Sequence, residues 1–184
     1  MRTALARVCT PALLAVVAGC GADDPLSDAG PPGSASEPPE LSGTLAAHNQ
    51  VRAQVGLPAL TWDPALAAIA KTWAAKCIDV QEPIGLVDHN EGRSAGGAYV
   101  GENIYGSSGA ATGPAAVASW ASEAANYNYA SNTCSDVCGH YTQLVWRETT
   151  KVGCALQDCA RLQYGRTVVC NYAPGGNINS RRPY

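Results

Sequence analysis

The sequence predicts an α+β domain, and three observations carry that prediction. Apolar residues recur at helical spacing in segments between residues 45 and 124. Two runs of strand character follow Trp146, at residues 152–156 and 167–172. Helices thus precede strands and do not alternate with them, the order of helices packed on an antiparallel sheet. A chain of 184 residues allows one ordinary domain and a sizeable core. It has no Phe, so Trp, Tyr, Leu, Val and Ala must fill that core.

Residues 1–20 read as an export signal. Arg2 and Arg7 supply a positive start, and residues 8–18 an apolar stretch, interrupted by Pro11, too short to span a bilayer. It ends Val17-Ala18-Gly19-Cys20. Small residues before a Cys resemble the bacterial lipobox, which would make residues 1–19 the signal and Cys20 a lipidated N-terminus. The alternative is ordinary cleavage after a small residue. Two acyl chains anchor stably where one is marginal. Gly21 stands where an Asp would resemble inner-membrane retention, so the expected place is the outer membrane or cell surface. Without lipidation the chain is expected to be extracellular.

Residues 20–43 read as a lipidated Cys and a disordered tether, rich in Pro, Ser and Gly. The tether holds Asp23, Asp24, Asp28, Glu37 and Glu40 and no base. With those five acids and the two signal arginines set aside, fifteen acids and twelve bases become ten of each. A neutral body with scattered bases excludes a nucleic-acid protein held by phosphate contacts. The domain, residues 44–184, is expected to be monomeric.

Within the domain, Leu45, Val51 and Val55 share a helical face with His48 and Arg52, ending at Gly56. His48 reads as a structural residue bonded to backbone. Asp63-Pro64 starts a second helix, with Asp as N-cap and Pro at the first position. Leu66, Ile69, Ala70, Trp73 and Cys77 then recur at helical spacing. Residues 78–101 are Gly-rich and irregular. Thr112-Gly113-Pro114 opens a third helix, with Val117, Trp120 and Ala124 on one face. Residues 127–139 read as a loop holding two Cys, and residues 161–166 as the turn between the two strands.

Of eight Cys, Cys9 leaves with the signal and Cys20 carries lipid. The remaining six, Cys77, Cys134, Cys138, Cys154, Cys159 and Cys170, read as three disulfides in an exported chain. They lack a paired C-x-x-C, which argues against structural zinc. Six Cys allow fifteen pairings, and sequence arithmetic does not choose among them.

The polar residues offer one constellation and one decoy. His89 precedes Glu102 by thirteen residues, Glu123 follows Trp120 by three, and His140 opens His140-Tyr141-Thr142-Gln143. Brought together, these two His and two Glu would hold a divalent cation. Kept apart, they are two surface carboxylates and two hydrogen-bonded His. The decoy is Gly92-Arg93-Ser94-Ala95-Gly96, which matches G-x-S-x-G. A nucleophile elbow needs a strand before it and a helix after it, and these flanks predict neither.

Several ordered blocks then carry a resemblance. They are Gly139-His140-Tyr141-Thr142-Gln143-Leu144-Val145-Trp146, Val152-Gly153-Cys154, and Val169-Cys170-Asn171-Tyr172-Ala173-Pro174-Gly175-Gly176-Asn177. His48-Asn49-x-x-Arg52, Leu60-Thr61-Trp62-Asp63 and Gly101-Glu102-Asn103-Ile104 join them. Together they resemble the CAP superfamily of cysteine-rich secretory proteins, venom antigens and plant pathogenesis-related class 1 proteins. Tyr127-Asn128-Tyr129 and the six Cys resemble the plant branch.

The resemblance implies a three-layer α-β-α sandwich around a small, mainly antiparallel sheet. It implies the disulfides Cys77–Cys159, Cys134–Cys138 and Cys154–Cys170. It implies a cavity lined by His89, Glu102, Glu123 and His140. Plant members have a shorter gap after the first His, so residues 91–100 read as an insertion near the cavity mouth.

It also implies a binding module, with zinc or magnesium in the cavity and a groove for lipid, sterol or peptide. The alternative is a metal-assisted hydrolase, with Glu102 or Glu123 as general base. Tyr127 and Tyr129 fall where some members have a sterol-associated loop. Residues 174–184 resemble a signalling peptide released from some plant members, and read better as a tail packed on the domain.

Overall fold

The computed structural model describes residues 36–82, 84–178 and 180–184. The residues expected to form an export signal, a lipidated Cys20 and a tether lie, up to residue 35, outside the described residues. Folded structure begins before residue 44. Glu37 accepts the N–H groups of Gly43 and Leu45 at 2.6 and 2.8 Å. A 3-10 turn at Pro39–Leu41 buries Leu41 completely. Residues 36–43 therefore belong to the domain and not to a disordered tether, because they contain a large apolar side chain that the core takes up.

Helix α1 (Thr44–Gln54) buries a polar stripe. Thr44, His48 and Arg52 are fully or almost fully buried at i, i+4 spacing, with Leu45, Val51 and Val55 half-buried beside them. Arg52 donates to the carbonyls of Pro58, Leu144, Trp146 and Thr149 at 2.8–3.0 Å, tying three segments together. Burial pushes its pKa down to about 10.

Strand β1 (Thr61–Trp62) leads into helix α2 (Pro64–Ala74). Asp63 caps this helix by accepting from the N–H groups of Ala65 and Leu66. The helix buries Leu66, Ala70 and Ala74 and stops short of Cys77, which takes a left-handed conformation at φ 47°.

Strand β2 (Gly101–Ser107) runs where the sequence suggests no strand. It carries two Gly, and its Glu102 and Asn103 are buried on opposite faces, so no alternation of apolar and polar residues marks it. Helix α3 (Gly113–Ser122) has Thr112 as its cap and continues into a 3-10 turn at Glu123–Asn126. The expected Cys loop contains a small hairpin, β3 (Tyr127–Asn128) with β4 (Thr133–Cys134). Helix α4 (Gly139–Leu144) then leads to β5 (Lys151–Asp158) and β6 (Arg166–Ala173).

The main sheet has the order β1-β5-β6-β2 and is antiparallel except for β1 against β5. Helix α2 covers one face, over Ile104, Ala155 and Val169. Helices α1, α3 and α4 supply the other layer, over Cys154, Val168, Cys170 and Tyr172. The result is a three-layer α-β-α sandwich with β2 at one edge.

The six cysteines pair as Cys77–Cys159, Cys134–Cys138 and Cys154–Cys170. The first ties the segment after α2 to the end of β5, and the last joins directly opposed residues of β5 and β6. The tail packs on the domain. Pro183 accepts from the Arg147 N–H at 2.6 Å, Asn177 accepts from the Thr142 hydroxyl at 2.7 Å, and Tyr184 stacks on Tyr129. Among the described residues, no helix is long and apolar enough to cross a membrane.

Candidate functional site

The loop before His89 is shaped by Asp88. Its carboxylate accepts from the N–H groups of Val80 and Gln81, and its carbonyl accepts from the Trp73 indole at 2.6 Å. His89 therefore leaves a pinned segment and meets β2 at Glu102. A carboxylate only accepts, so His89 donates through Nδ1 to Glu102 Oε1, at 2.8 Å.

The same Glu102 oxygen accepts from Asn90 N–H at 2.9 Å. Asn171 stands opposite Glu102 on β6; with its amide assigned the orientation that satisfies both ends, Nδ2 donates to Glu102 Oε2 at 3.2 Å and Oδ1 accepts from Ala70 N–H at 3.1 Å. The Glu102 side chain is wholly shielded from solvent, whereas that of His89 is 48% exposed. A fully buried carboxylate thus holds a half-open imidazole.

The second pair comes from the other helical layer. Glu123 Oε1 accepts from His140 Nδ1 at 2.6 Å, and Oε2 accepts from the backbone N–H groups of His140 and Tyr141 at 3.0 and 3.2 Å. The Trp120 ring lies near parallel to the His140 ring, with centroids 6.2 Å apart. Trp120 is itself fixed by an indole bond to the Ile104 carbonyl on the outer edge of β2.

The two imidazoles line one cavity of about 150 Å³ with Leu86, Val87 and Ile104. An adjoining cavity of about 270 Å³ shares Leu86, Ile104 and His140 and adds Trp120, Glu123 and Tyr164. Together they form a groove along the edge of β2. Of the four residues singled out from the sequence, two line the first cavity, Glu123 lines the second, and Glu102 lies buried out of both. Among the described residues, no three His, Cys, Asp or Glu side chains gather closely enough to hold an ion as they stand.

Both Nδ1 atoms are bonded, and among the described residues neither Nε2 has a hydrogen-bond partner. This donor set suits a cation taken by imidazole, with each carboxylate orienting a ring. Asn171 and Asn103 also support the site; the sequence shows them only as members of the blocks at 169–177 and 101–104, with no sign of that role.

The G-x-S-x-G segment is a run of turns. Arg93 donates to the carbonyls of Val100 and Asn90, and the Ser94 hydroxyl accepts from Val100 N–H at 3.0 Å. Ser94 closes a loop and is not set up as a nucleophile. Tyr129 is engaged by the tail, and the Tyr127 hydroxyl donates to Asn132 at 2.8 Å.

The family model of the cysteine-rich secretory protein (CAP) family matches residues 45–172. Pathogenesis-related protein 1 of Arabidopsis thaliana is 43% identical over 141 residues, covering 76% of this chain and 80% of that one. Among solved structures, venom allergen-like protein 4 of Schistosoma mansoni aligns with a TM-score of 0.60 at 28% identity, covering 80% of this chain and 94% of that one. NaASP2, solved with Zn2+, aligns with a TM-score of 0.61 at 26% identity, covering 84% of this chain and 88% of that one.

Proposed function

The chain belongs to the cysteine-rich secretory protein (CAP) family, and from that premise we propose that it is an exported binding module, tethered to a membrane through Cys20. In this reading His89 and His140 take a divalent cation through Nε2, and the groove along β2 takes a lipid or peptide. The observation that carries it is the pairing of each imidazole with its own carboxylate, around one cavity. A ring that donates through Nδ1 to a carboxylate presents a basic Nε2, an arrangement that recurs where histidine binds metal.

Zinc fits this donor set better than magnesium, which demands oxygen ligands and six-fold coordination. Two imidazoles leave tetrahedral positions for water or for an oxygen of the ligand. Leu86, Ile104 and Trp120 give the groove apolar walls. Binding is favoured over metal-assisted hydrolysis because Glu102 lies buried out of both cavities and Glu123 already accepts from three donors of the His140-Tyr141 segment. A general base must reach the proton that it takes.

Export is supported by the signal-like residues 1–20 and by three disulfides, which persist in oxidising compartments.

The test is calorimetric titration of zinc into the chain and into a His89→Ala/His140→Ala variant. Saturable binding at one site, lost in the variant, is expected. Equal heats from both proteins would remove the cation from the reading. Tethering is tested by mass spectrometry of the native N-terminal peptide. Acylated Cys20 is expected, and an unmodified Cys20 would make the protein free outside the cell.

A further inference from the structure

A chain of buried hydrogen bonds runs from α1 through the sheet to His140. His48 Nδ1 is 2.8 Å from the Thr44 carbonyl, and His48 Nε2 is 2.9 Å from the Tyr172 hydroxyl. The Tyr172 hydroxyl is 3.3 Å from Asn103 Nδ2, which is also 3.1 Å from the His140 carbonyl. His48 and Tyr172 are fully buried, and Asn103 is 1% exposed.

The direction of every bond follows from the two ends. Carbonyl oxygens only accept, so His48 must donate through Nδ1 to Thr44. A neutral His48 then accepts at Nε2, and the Tyr172 hydroxyl must donate to it. That hydroxyl oxygen is left to accept, and Asn103 Nδ2 supplies one proton to it and the other to the His140 carbonyl. Asn103 is therefore the one member that donates in both directions.

Asn103 is also the neighbour of Glu102 on β2, and successive strand residues face opposite sides of the sheet. Glu102 holds His89 on one side, and Asn103 holds the backbone of His140 on the other. We infer that Asn103 is a positioning residue for the cation site: with Glu102 it forms a dipeptide that sets the separation of the two imidazoles.

Glu123 grips His140 at its N–H and its ring, and Asn103 grips it at its carbonyl. Losing the carbonyl contact removes the tie from β2 to the turn of α4 that carries the ring. It leaves His89 untouched, because Glu102 is held separately by Asn90 and Asn171. The inference rests on the cation reading for its consequence, but its geometry is measurable without metal.

The test compares Asn103→Ala and Asn103→Asp with Tyr172→Phe. The aspartate matches the shape of asparagine and donates nothing when ionised. Tyr172→Phe breaks the same buried network but leaves the Asn103 bond to His140. Zinc affinity, read by calorimetry, is expected to fall about 10- to 100-fold in both Asn103 variants, the usual range for an outer partner of a metal ligand. It should stay within about three-fold of wild type in Tyr172→Phe.

In the metal-free proteins, the ring resonances of His140 in nitrogen-correlated NMR should shift or broaden in the Asn103 variants while those of His89 stay. Equal loss of affinity in all three variants would reduce Asn103 to a stability role and overturn the inference. So would an unmoved His140 signal. If wild type itself binds no zinc, the cation reading fails and the NMR comparison still decides the geometry. If the Asn103 variants do not fold, wild type decides it. The Asn103 side-chain amide protons should exchange slowly with solvent, and fast exchange would sink the proposal.

Discussion

Glu123 holds His140 at two points, the ring through Oε1 at 2.6 Å and the backbone N–H through Oε2 at 3.0 Å. Both contacts require an acceptor. Glu123→Gln replaces one acceptor oxygen with a donor, so either a backbone N–H faces a donor or the ring turns to the tautomer that carries its proton on Nε2, the atom that would take the cation. On the proposed cation reading, zinc affinity is expected to drop about 10- to 100-fold, the usual range for a partner of a metal-binding histidine. The melting temperature should fall as well, because the backbone N–H groups of His140 and Tyr141 lose part of their acceptor. Calorimetry and a thermal melt read the two effects. Unchanged affinity would mean that Glu123 does not orient the ring.

Gly153 tests the sandwich itself. A Cβ built on it would lie 2.3 Å from both the Ala67 nitrogen and the Asp63 carbonyl oxygen. Both atoms are backbone at the start of α2, so no side-chain rotation relieves the clash. Helix and strand must separate locally, opening the layer that holds Ala70, Ala155 and Val169. Gly153→Ala is expected to cost about 3 kcal/mol or more, the upper end for overpacking. Urea denaturation checks it, and a loss below about 1 kcal/mol would show that α2 slides freely on β5.

The three disulfides should differ in worth. Cys77–Cys159 spans 82 residues and Cys134–Cys138 spans four. The loop-entropy relation gives about 4.5 kcal/mol for the first and about 2 kcal/mol for the second. Paired Cys→Ala variants, compared by chemical denaturation, should keep that order. The reverse order would show that the short bridge acts on the folded state, through the segment leading to α4, more than on the unfolded chain.

Legibility followed the strength of local signals. Helices α1, α2 and α3 were readable because apolar spacing and the Asp63-Pro64 and Thr112-Gly113-Pro114 starts agree with one another. Strands β5 and β6 were readable because each is an apolar or β-branched run. Strand β2 was not, since Glu102 and Asn103 are buried for their hydrogen bonds and the pattern of apolar residues cannot register that. The stop of α2 before Cys77 was equally hidden, because the bridge to Cys159 lies 82 residues away. Glu102 and His140 stand in the quoted sequence blocks, and His89 and Glu123 are named by their spacing from Glu102 and Trp120, but no spacing says which atoms remain open. That needed the partners Asn90, Asn171 and Asn103, two of them contributed through side chains on β6 and β2.

His48 supplies the last prediction, a pH dependence. Burial lowers its pKa, the Thr44 carbonyl opposes that, and the Arg52 charge lowers it further, to about 4 from 6.5. Folded protein therefore keeps His48 neutral at pH values where the unfolded chain protonates it. Above about pH 6.5 neither state binds the proton, and the His48 contribution is fully present. As pH falls below that, the unfolded state gains the proton first. Stability should decline by about 1.4 kcal/mol per pH unit until the folded residue titrates near pH 4. His48→Gln removes the titration. It should be less stable at pH 7, because the relay to Tyr172 is cut, yet the gap to wild type should close as pH falls toward 4. Other groups that titrate in this window act in both proteins and cancel in the difference. Urea denaturation of the pair at pH 7, 6, 5 and 4 gives that difference directly. A gap that stays constant across the series would mean that His48 is not held neutral by its burial.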